Sequence, residues 1–426
     1  MGYEPAVWAI APFALLLTTI ALGPLLFDRW WLKHYPKVAF GLAAITLGYY
    51  LFALPHEARR TVAHTAIEYV SFIALIGSLF IVSGGIHINV KGEATPHVNV
   101  VFLFIGAVIA NLLGTTGASM LLIRPWLRMN KYRVTAHHVV FFILIVSNVG
   151  GCLTPIGDPP LFLGYLKGVP FWWVLEHCWP MWLVGVGFLL AAFYVVDRFN
   201  YLKAPEQLRE KIAEPQDQWR FDGLFNLGFL ALILIAVFVR KPPFLREALM
   251  LLAAIGSWFA TKKSIHEANH FNFHPIREVA VLFIGIFATM MPALDYLKGQ
   301  AAALPSTTTF YFFGTGILSA VLDNAPTYLS FLSAAAGPAI DDPAQIAARL
   351  ADPAFVRVLV AISVSSVFFG ACTYIGNGPN FMVKAIADHQ KVHTPGFLGY
   401  IVRFTLPFMV PMLVLVWWLF FRNAEN

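Results

Sequence analysis

Long apolar segments alternate with short polar connections along nearly the whole chain. Segments of about 17 to 25 apolar residues are long enough to cross the roughly 30 Å hydrocarbon core of a membrane as helices. The pattern therefore predicts an all-α polytopic membrane protein whose first helix is retained. The apolar segments fall into two matching sets: 6–27, 38–54, 70–88, 98–126, 135–166 and 171–196, and then 223–239, 245–261, 278–296, 306–336, 354–388 and 396–421.

The longest polar stretch, 197–222, separates the two sets. It is the expected linker between a first repeat, 1–196, and a second repeat, 223–426. More Lys and Arg residues fall on the linker's side of the membrane than on the opposite side, and such loops are typical of the cytoplasmic face. We therefore expect a cytoplasmic linker and two non-cytoplasmic termini. The linker's basic residues are Arg198, Lys203, Arg209, Lys211 and Arg220.

Two apolar segments, 98–126 and 306–336, carry polar residues, Gly or Pro at their centres, in 111–117 and 323–327. Lipid cannot satisfy the backbone groups that such an interruption frees, so the protein itself must do so. Each segment is predicted to be a re-entrant hairpin that returns to its own side. Each half then crosses the membrane five times, and because five is odd, the second half is inverted. Inverted-topology repeats are typical of secondary transporters.

A broken helix is predicted in the next long segment of each half, at 135–166 and 354–388. Residues Asn148–Pro160 read NVGGCLTPIGDPP, and Val367–Pro379, 219 positions later, read VFFGACTYIGNGP. The hairpin centres LLGTTGA and VLDNAPT are similarly related, at an offset of 209. These matches predict an internal repeat. A proline kink is the alternative for Asn148–Pro160, but a kink requires one Pro and this stretch has three Pro and three Gly.

The interruptions hold the candidate ligand-binding residues. An ionisable side chain in mid-membrane costs at least about 2.5 kcal/mol and is a functional candidate by default. Asp158 and Asp323 are such residues, and helix capping is the alternative role for each. Nearby hydroxyl and carbonyl oxygens suit a hard cation, although hydroxyls also bond across helices. We expect a Na⁺ site near Thr115, Asp158, Asp323 and Asn324, within a candidate set of Thr115, Thr116, Asn148, Gly151, Thr154, Asp158, Asp323, Asn324, Thr373, Gly376, Asn377 and Asn380.

Two adjacent histidines, His137 and His138, open the first broken segment near the expected cytoplasmic face. Histidine changes its charge close to physiological pH. The pair is therefore interpreted either as a pH sensor or as the solvated start of a helix.

Composition narrows the functional class. Apolar residues make up 58% of the chain, charged residues only 12%, and the net charge is +6. In a membrane protein, cytoplasmic loops explain this excess better than nucleic-acid binding does. Three cysteines without a CxxC pair predict neither a disulfide framework nor a thiolate zinc site. The chain has no Walker-type phosphate loop and no GxSxG motif, so we expect a non-enzyme without a cofactor apart from transported or coupling ions.

The broken segments and the second hairpin also resemble a known family. NVGGCLTPIGDPPLF resembles the NIGGxxTxIGDPPN signature of the ion transporter superfamily, in the branch with NhaD-type sodium/proton antiporters, the arsenite permease ArsB, P-protein-like permeases and CitMHS-type citrate transporters. LSAVLDNAPTYL from Leu318 and TYIGNGPN from Thr373 resemble two further motifs of that branch. The resemblance implies scaffold helices, two hairpins and two broken helices around mid-membrane sites, often in a homodimer. The chain departs from it at Gly114, where relatives often have Asp, and at Leu161, where they have Asn.

The substrate expected from these residues is a cation. Asp158 and Asp323 would each repel a carboxylate by about 2 kcal/mol at a separation of roughly 8 Å and an effective dielectric near 20. A buried acid that holds either H⁺ or Na⁺ supports exchange of the two, which is the first hypothesis. Cation-coupled transport of citrate or a similar carboxylate is the alternative, and arsenite efflux is the third. The expected location is a bacterial inner membrane, with the lipid bilayer and a small ion as partners.

Overall fold

Helices account for nearly all of the regular structure. A computed structural model describes residues 5–91, 94–203, 218–239, 241–300, 303–305 and 307–422, without the side chains of 24, 25, 28, 90, 91, 218 and 219. The first half contains a 3₁₀ turn at Val7–Ile10, α1 (Ala11–Leu26), α2 (Asp28–Gly48) with a π-helical end at Tyr49–Ala53, α3 (His56–Gly84), β1 (His87–Lys91), α4 (Pro96–Met129), α5 (Ala136–Ile145), a 3₁₀ turn at Val149–Gly151, α6 (Pro159–Leu166) and α7 (Trp173–Lys203).

The second half also combines long helices with a hairpin and a broken helix, but its order of elements differs, because it opens with a strand and has two additional short helices. It contains β2 (Gln218–Asp222), α8 (Asn226–Val237), α9 (Leu245–Ala260), α10 (Lys263–Ala268), α11 (His274–Gln300), α12 (Thr308–Val321), α13 (Asn324–Ala336), a 3₁₀ turn at Gly337–Asp341, α14 (Pro343–Arg349), α15 (Pro353–Phe369), a 3₁₀ turn at Gly370–Cys372, α16 (Gly378–His389), α17 (Phe397–Tyr400) with a π-helical stretch at Ile401–Met409, and α18 (Val410–Phe420).

Seven helical stretches of the described chain are long and apolar enough to cross a membrane. Large apolar side chains such as Phe52, Phe259 and Leu398 are exposed on the exterior, as lipid contact requires. The prediction of an all-α polytopic membrane protein is confirmed. The seven are Arg29–Ala53, His56–Gly84, Pro96–Met129, Trp173–Lys203, His274–Gln300, Pro353–Cys372 and Phe397–Phe420, and shorter apolar helices lie at Val7–Gly23, Ala136–Gly151, Asn226–Val237 and Thr308–Val321.

The structure corrects several expected boundaries. Helix α3 begins at His56, not at residue 70, because its polar first turns are helical as well. Helix α7 continues to Lys203, beyond the expected start of the linker at 197. Residues 204–217 of that linker lie outside the described residues. Its last residues form β2, which pairs antiparallel with β1 in a small sheet that the all-α expectation did not include.

Helix α4 is a hairpin that folds back at Gly114. In a continuous helix, Asn99 and Asn130 would be about 46 Å apart, yet the side-chain Nδ2 of Asn99 donates to Oδ1 of Asn130 at 2.9 Å. Gly114 makes the turn with φ 73 and ψ 156, and this positive φ favours glycine over other residues. An Asp at this position would be strained there.

The second hairpin consists of α12 and α13. The chain leaves helical geometry at Leu322 and Asp323, and Asp323 Oδ1 accepts a hydrogen bond from the Ala325 N–H at 3.0 Å to begin α13. The ring of Phe331 packs against those of Phe310 and Tyr311 across the hairpin. The two helices therefore run antiparallel, as the arms of the first hairpin do.

Each broken helix is interrupted where its glycines and prolines lie. Helix α5 ends at Ile145 and α6 begins at Pro159, while α15 ends at Phe369 and α16 begins at Gly378. The chain between them folds tightly: a Cβ on Gly157 would lie 2.1 Å from the carbonyl oxygen of Gly151. Gly376 stands in the same relation to Gly370, at 2.7 Å.

The interrupted segments lie inside the fold, next to two long helices. Every residue from His137 to Ile145 of α5 is buried, which is typical of a helix that is apolar on all sides. The long helices α3 and α11 pack against each other, with the Phe72 and Phe283 rings stacked at 4.6 Å. The irregular backbone at Gly114 and in the two breaks is thereby buried inside protein, while outer residues of the hairpin arms, such as Val101 and Ile317, are exposed.

Candidate functional site

One buried carboxylate, Asp158, lies where both hairpins and both breaks meet. Its side chain is 1% exposed. Oδ1 accepts hydrogen bonds from Thr115 Oγ1 at 2.7 Å and from Asn377 Nδ2 at 3.0 Å. Oδ2 accepts one from Asn324 Nδ2 at 2.6 Å. The structure thus brings together four of the residues predicted from sequence.

These four residues form two pairs at the offsets of the predicted repeat. Asn324 follows Thr115 by 209 positions, the offset of the hairpin tips, and Asn377 follows Asp158 by 219, the offset of the breaks. Each half therefore contributes one residue from its hairpin and one from its break. The only acid among the four is in the first half.

Asn148 and Asn380 lie behind this group and connect the two breaks. Asn148 Nδ2 donates to Asn380 Oδ1 at 2.7 Å, and Asn377 Nδ2 donates to Asn148 Oδ1 at 3.2 Å. Asn380 Nδ2 also donates to the carbonyl oxygens of Gly370 and Thr373. Both amides are fully buried, and both satisfy backbone carbonyls that the interrupted helices leave free.

The predicted threonines of the breaks attach each break to its own hairpin. Thr154 Oγ1 donates to the carbonyl oxygen of Asn111, and Thr373 Oγ1 donates to that of Ala320, both at 2.6 Å. Each hydroxyl also accepts a hydrogen bond at 3.1 Å from a glycine N–H of its own break: Thr154 Oγ1 from Gly157, and Thr373 Oγ1 from Gly376. The predicted glycines, Gly151 and Gly376, allow the close backbone approach described above.

Two predicted residues are placed apart from the carboxylate. Thr116 lines a cavity of ≈ 20 Å³ between the first hairpin and α3. Asp323 caps α13, which is the alternative role stated for it, and also faces a cavity of ≈ 350 Å³ that reaches Asn377. Arg124, His274 and Glu278 line this same cavity, which is mostly apolar and lies on the linker's side.

The chemistry of the four-residue group follows from its charges. None of the Lys, Arg and His side chains that the structure describes forms an ion pair with Asp158. A buried carboxylate without a positive partner is strongly disfavoured unless it takes up a proton or a cation. Asn324 Oδ1 is buried beside it without a hydrogen-bond donor. The group therefore has a negative charge and an unused oxygen ligand at one place.

Comparison with known proteins identifies the family. Residues 3–421 match the family described as "Putative citrate transport". The chain belongs to this family. The match covers nearly the whole chain and confirms the resemblance to the ion transporter superfamily. The "46 kDa membrane protein" of Mycobacterium leprae (strain TN) is 24% identical over 289 residues, covering 63% of this chain and 64% of that protein. This family and the helices together show an integral membrane protein of a transporter family.

A peptidase-like motif in this member of the transporter family does not form a metal site. His266–His270 read HEANH, which on a continuous helix would place two histidines on one face to bind zinc. Helix α10, however, ends at Ala268, and His270 has φ 46. Among the described residues, the one group that brings three potential metal-ligand atoms close together consists of His137, His138 and Asp197, with one atom from each.

That histidine group is a buried charge cluster, not the solvated helix start that was one interpretation. Nε2 of His137 and Nε2 of His138 lie 3.2 and 3.1 Å from Oδ1 of Asp197. Arg133 donates to both carboxylate oxygens of Asp197, and Asn99 Nδ2 donates to Oδ2 at 2.9 Å. The Arg133 guanidinium already supplies the positive charge that a metal ion would bring. The cluster joins the open end of the first hairpin to α5 and α7.

Proposed function

We propose that the protein exchanges Na⁺ for H⁺ across the membrane by alternating access, with Asp158 as the carboxylate that binds both ions in turn. The observation that supports this most is the isolation of Asp158 from any positive side chain of the described chain. A proton or a monovalent cation neutralises the single negative charge of the carboxylate. Binding both together would leave a net positive charge in the buried site. Competition for one carboxylate is sufficient for exchange.

Oxygen atoms around Asp158 suit the cation. Hard cations prefer oxygen ligands, and the site offers Thr115 Oγ1, the two Asp158 oxygens and the unpaired Asn324 Oδ1. When Asp158 is protonated, it retains its hydrogen bonds from neutral donors. When Na⁺ binds, Asn324 offers its carbonyl oxygen. The neutral donors therefore serve both states without a change of charge in the protein.

The cavity that reaches Asn377 and Asp323 supplies the access from one side. Asp323 and Glu278 are acids facing this cavity, and Arg124 is a base. This balance favours approach of a cation over approach of an anion with several negative charges. Next to the first hairpin tip, beside Leu79 and Phe162, the structure has a cavity of ≈ 20 Å³, far smaller than the one that reaches Asn377. The proposed state is therefore open towards the linker, which we expect to face the cytoplasm.

Cation-coupled transport of a di- or tricarboxylate is the second candidate. The description of the family favours it. The N-termini of α13 and α16 begin at Asn324 and Gly378, beside Asp158, and helix N-termini attract anions. Without bound cations, Asp158 and Asp323 oppose such a substrate. With cations bound, the same termini could hold a carboxylate, so this candidate needs Na⁺ or H⁺ as a co-substrate.

Purified protein in proteoliposomes distinguishes the candidates. Under an imposed pH gradient, Na⁺ and Li⁺ should each dissipate the gradient, and labelled citrate should not accumulate. Transport of arsenite is measured in the same vesicles to test the third hypothesis, arsenite efflux. The Asp158→Asn variant, which keeps the size and one acceptor oxygen but removes the charge, is the matched control and should lose exchange. Citrate accumulation without Na⁺-dependent proton movement would replace the antiport proposal with the second candidate.

A further inference from the structure

A second cavity, of ≈ 310 Å³, lies at the far end of the protein from the linker. Arg60, Glu68 and Asp295 are among its lining residues. Along α3, Glu68 is 16 residues before Gly84, which corresponds to about 24 Å, and Gly84 is close to the linker-side strands. Along α11, Asp295 is about 32 Å from His274, which lines the linker-side cavity. The two cavities therefore lie on opposite sides of the Asp158 site.

Two ion pairs line this far cavity. Lys167 Nζ lies 2.6 Å from Glu68 Oε1, and both side chains are buried. Lys298 Nζ lies 2.7 Å from Asp341 Oδ1 and 2.6 Å from Asp295 Oδ1. Each pair joins one long helix, α3 or α11, to a segment outside it. His64 also lies near Glu68, with Nδ1 3.2 Å from Oε1, and the Tyr50 hydroxyl donates to Asp295 at 2.7 Å.

The segments held by these pairs are the ones that carry the site. Helix α6 begins directly after Asp158 and ends directly before Lys167. Helix α13 begins at Asn324 and continues through a 3₁₀ turn to Asp341. The helices pack on each other, and a Cβ on Gly164 would lie 2.2 Å from the Tyr328 hydroxyl. Each of these two helices thus has the site at one end and an ion pair at the other.

We propose that the Glu68–Lys167 and Lys298–Asp341 pairs form a latch, which holds α6 and α13 against α3 and α11 and keeps the far entrance shut. For Asp158 to be reached from this side, both helices must move away from α3 and α11, and both ion pairs must break. The buried charges of Glu68 and Lys167 then become hydrated, which offsets their lost attraction and gives the latch two stable arrangements, whereas Asp341 is exposed already. The proposal rests on alternating access in the proposed function, but not on the identity of the transported ion.

Cysteine accessibility tests the latch without any transported substrate. In a variant whose three native cysteines are alanine, Ser333→Cys reports on the far cavity, because Ser333 is fully buried there and bonds to the Leu294 carbonyl oxygen. Combining it with Glu68→Gln and Asp341→Asn should raise labelling by a membrane-impermeant maleimide, applied from the far side, about tenfold or more. Leu294→Cys, on the facing wall, is a second reporter if Ser333→Cys does not fold.

A charge swap and a matched control complete the experiment. Exchanging the partners, as Glu68→Lys with Lys167→Glu, should return labelling to near the parent rate. Breaking the exposed Lys263–Glu267 pair by Glu267→Gln should leave it unchanged. The latch is overturned if labelling is unchanged after Glu68→Gln and Asp341→Asn. It is also overturned if the charge-swap variant is labelled as fast as the Glu68→Gln variant alone. If labelling responds but no ion is exchanged, the latch stands and the proposed function fails.

Discussion

Moving the single negative charge from Asp158 to its repeat-related partner Asn377 is the sharpest test of the site. Asp158→Asn alone replaces a carboxylate with an amide of the same size among three hydrogen-bond donors. A unit charge about 4 Å from a cation contributes about 4 kcal/mol at an effective dielectric near 20. We therefore expect about a thousandfold loss of Na⁺ affinity, with the protein still folded.

Asp158→Asn combined with Asn377→Asp should recover part of this loss. The Asp158 Oδ1 and Asn377 Nδ2 atoms are only 3.0 Å apart, so the charge remains in the same four-residue group. Recovery should be incomplete because Asn377 Nδ2 also donates to the Ser147 carbonyl oxygen and to Asn148 Oδ1. A carboxylate facing those two acceptors loses both bonds, at about 1 kcal/mol each. We expect the double variant to bind Na⁺ about 10- to 100-fold more tightly than Asp158→Asn.

The assay is the Na⁺-dependent rise in thermal stability of the purified protein, which gives the dissociation constant through linkage. Exchange in proteoliposomes is the second readout. Asn377→Asp alone is the matched control: it places two acids side by side, so one should remain protonated. Parent-like affinity and exchange in Asp158→Asn would refute the role of this carboxylate. A double variant no better than Asp158→Asn would refute the repeat relationship between the two positions.

Three further predictions concern layout, backbone and folding. Cysteines at the exposed positions Lys262 and Gln345 should label from opposite sides of the membrane, and labelling from the same side would exclude the inverted layout. Gly157→Ala should abolish exchange, because the added Cβ would lie 2.1 Å from a carbonyl oxygen. Gly378→Ala is the control and should keep exchange, because the space around Gly378 is open. Equal activities of the two variants would contradict the tight packing of the break. Asp197→Asn leaves the buried Arg133 guanidinium without its charged partner. It should lower the free energy of unfolding by about 3 to 5 kcal/mol, which denaturation in detergent measures. An unchanged denaturation midpoint would show that this charge cluster does not hold the helices together.

Backbone interruptions were the part of this fold that sequence could predict. Glycine and proline act locally, so the break before Pro159 and the turn at Gly114 follow from the residues at those places. Side-chain direction was less accessible. Thr115 Oγ1 donates to Asp158, while its neighbour Thr116 points in another direction, because successive residues of a helix point about 100° apart.

Partners distant in the chain were not predictable at all. The burial of His138 depends on Asp197, which is 59 positions away and had been assigned to a polar linker. No local pattern marks such a pairing. The same limit applies to β1 and β2, which are short, lie far apart in sequence, and become strands only because the fold brings them side by side.

The uneven distribution of acid between the two halves has a consequence for the proposed transport cycle. In an inverted-repeat transporter, the inward- and outward-facing states arise when the halves exchange conformations. With identical halves, the two states would be equivalent and would bind the ion equally well. Asp158 has Asn377 as its counterpart, so this equivalence is broken at the binding site itself. The ion can then bind more tightly on one side of the membrane than on the other. If the protein exchanges ions as proposed, its rates can therefore differ when equal gradients are imposed in opposite directions, while the ion gradients alone set the final equilibrium.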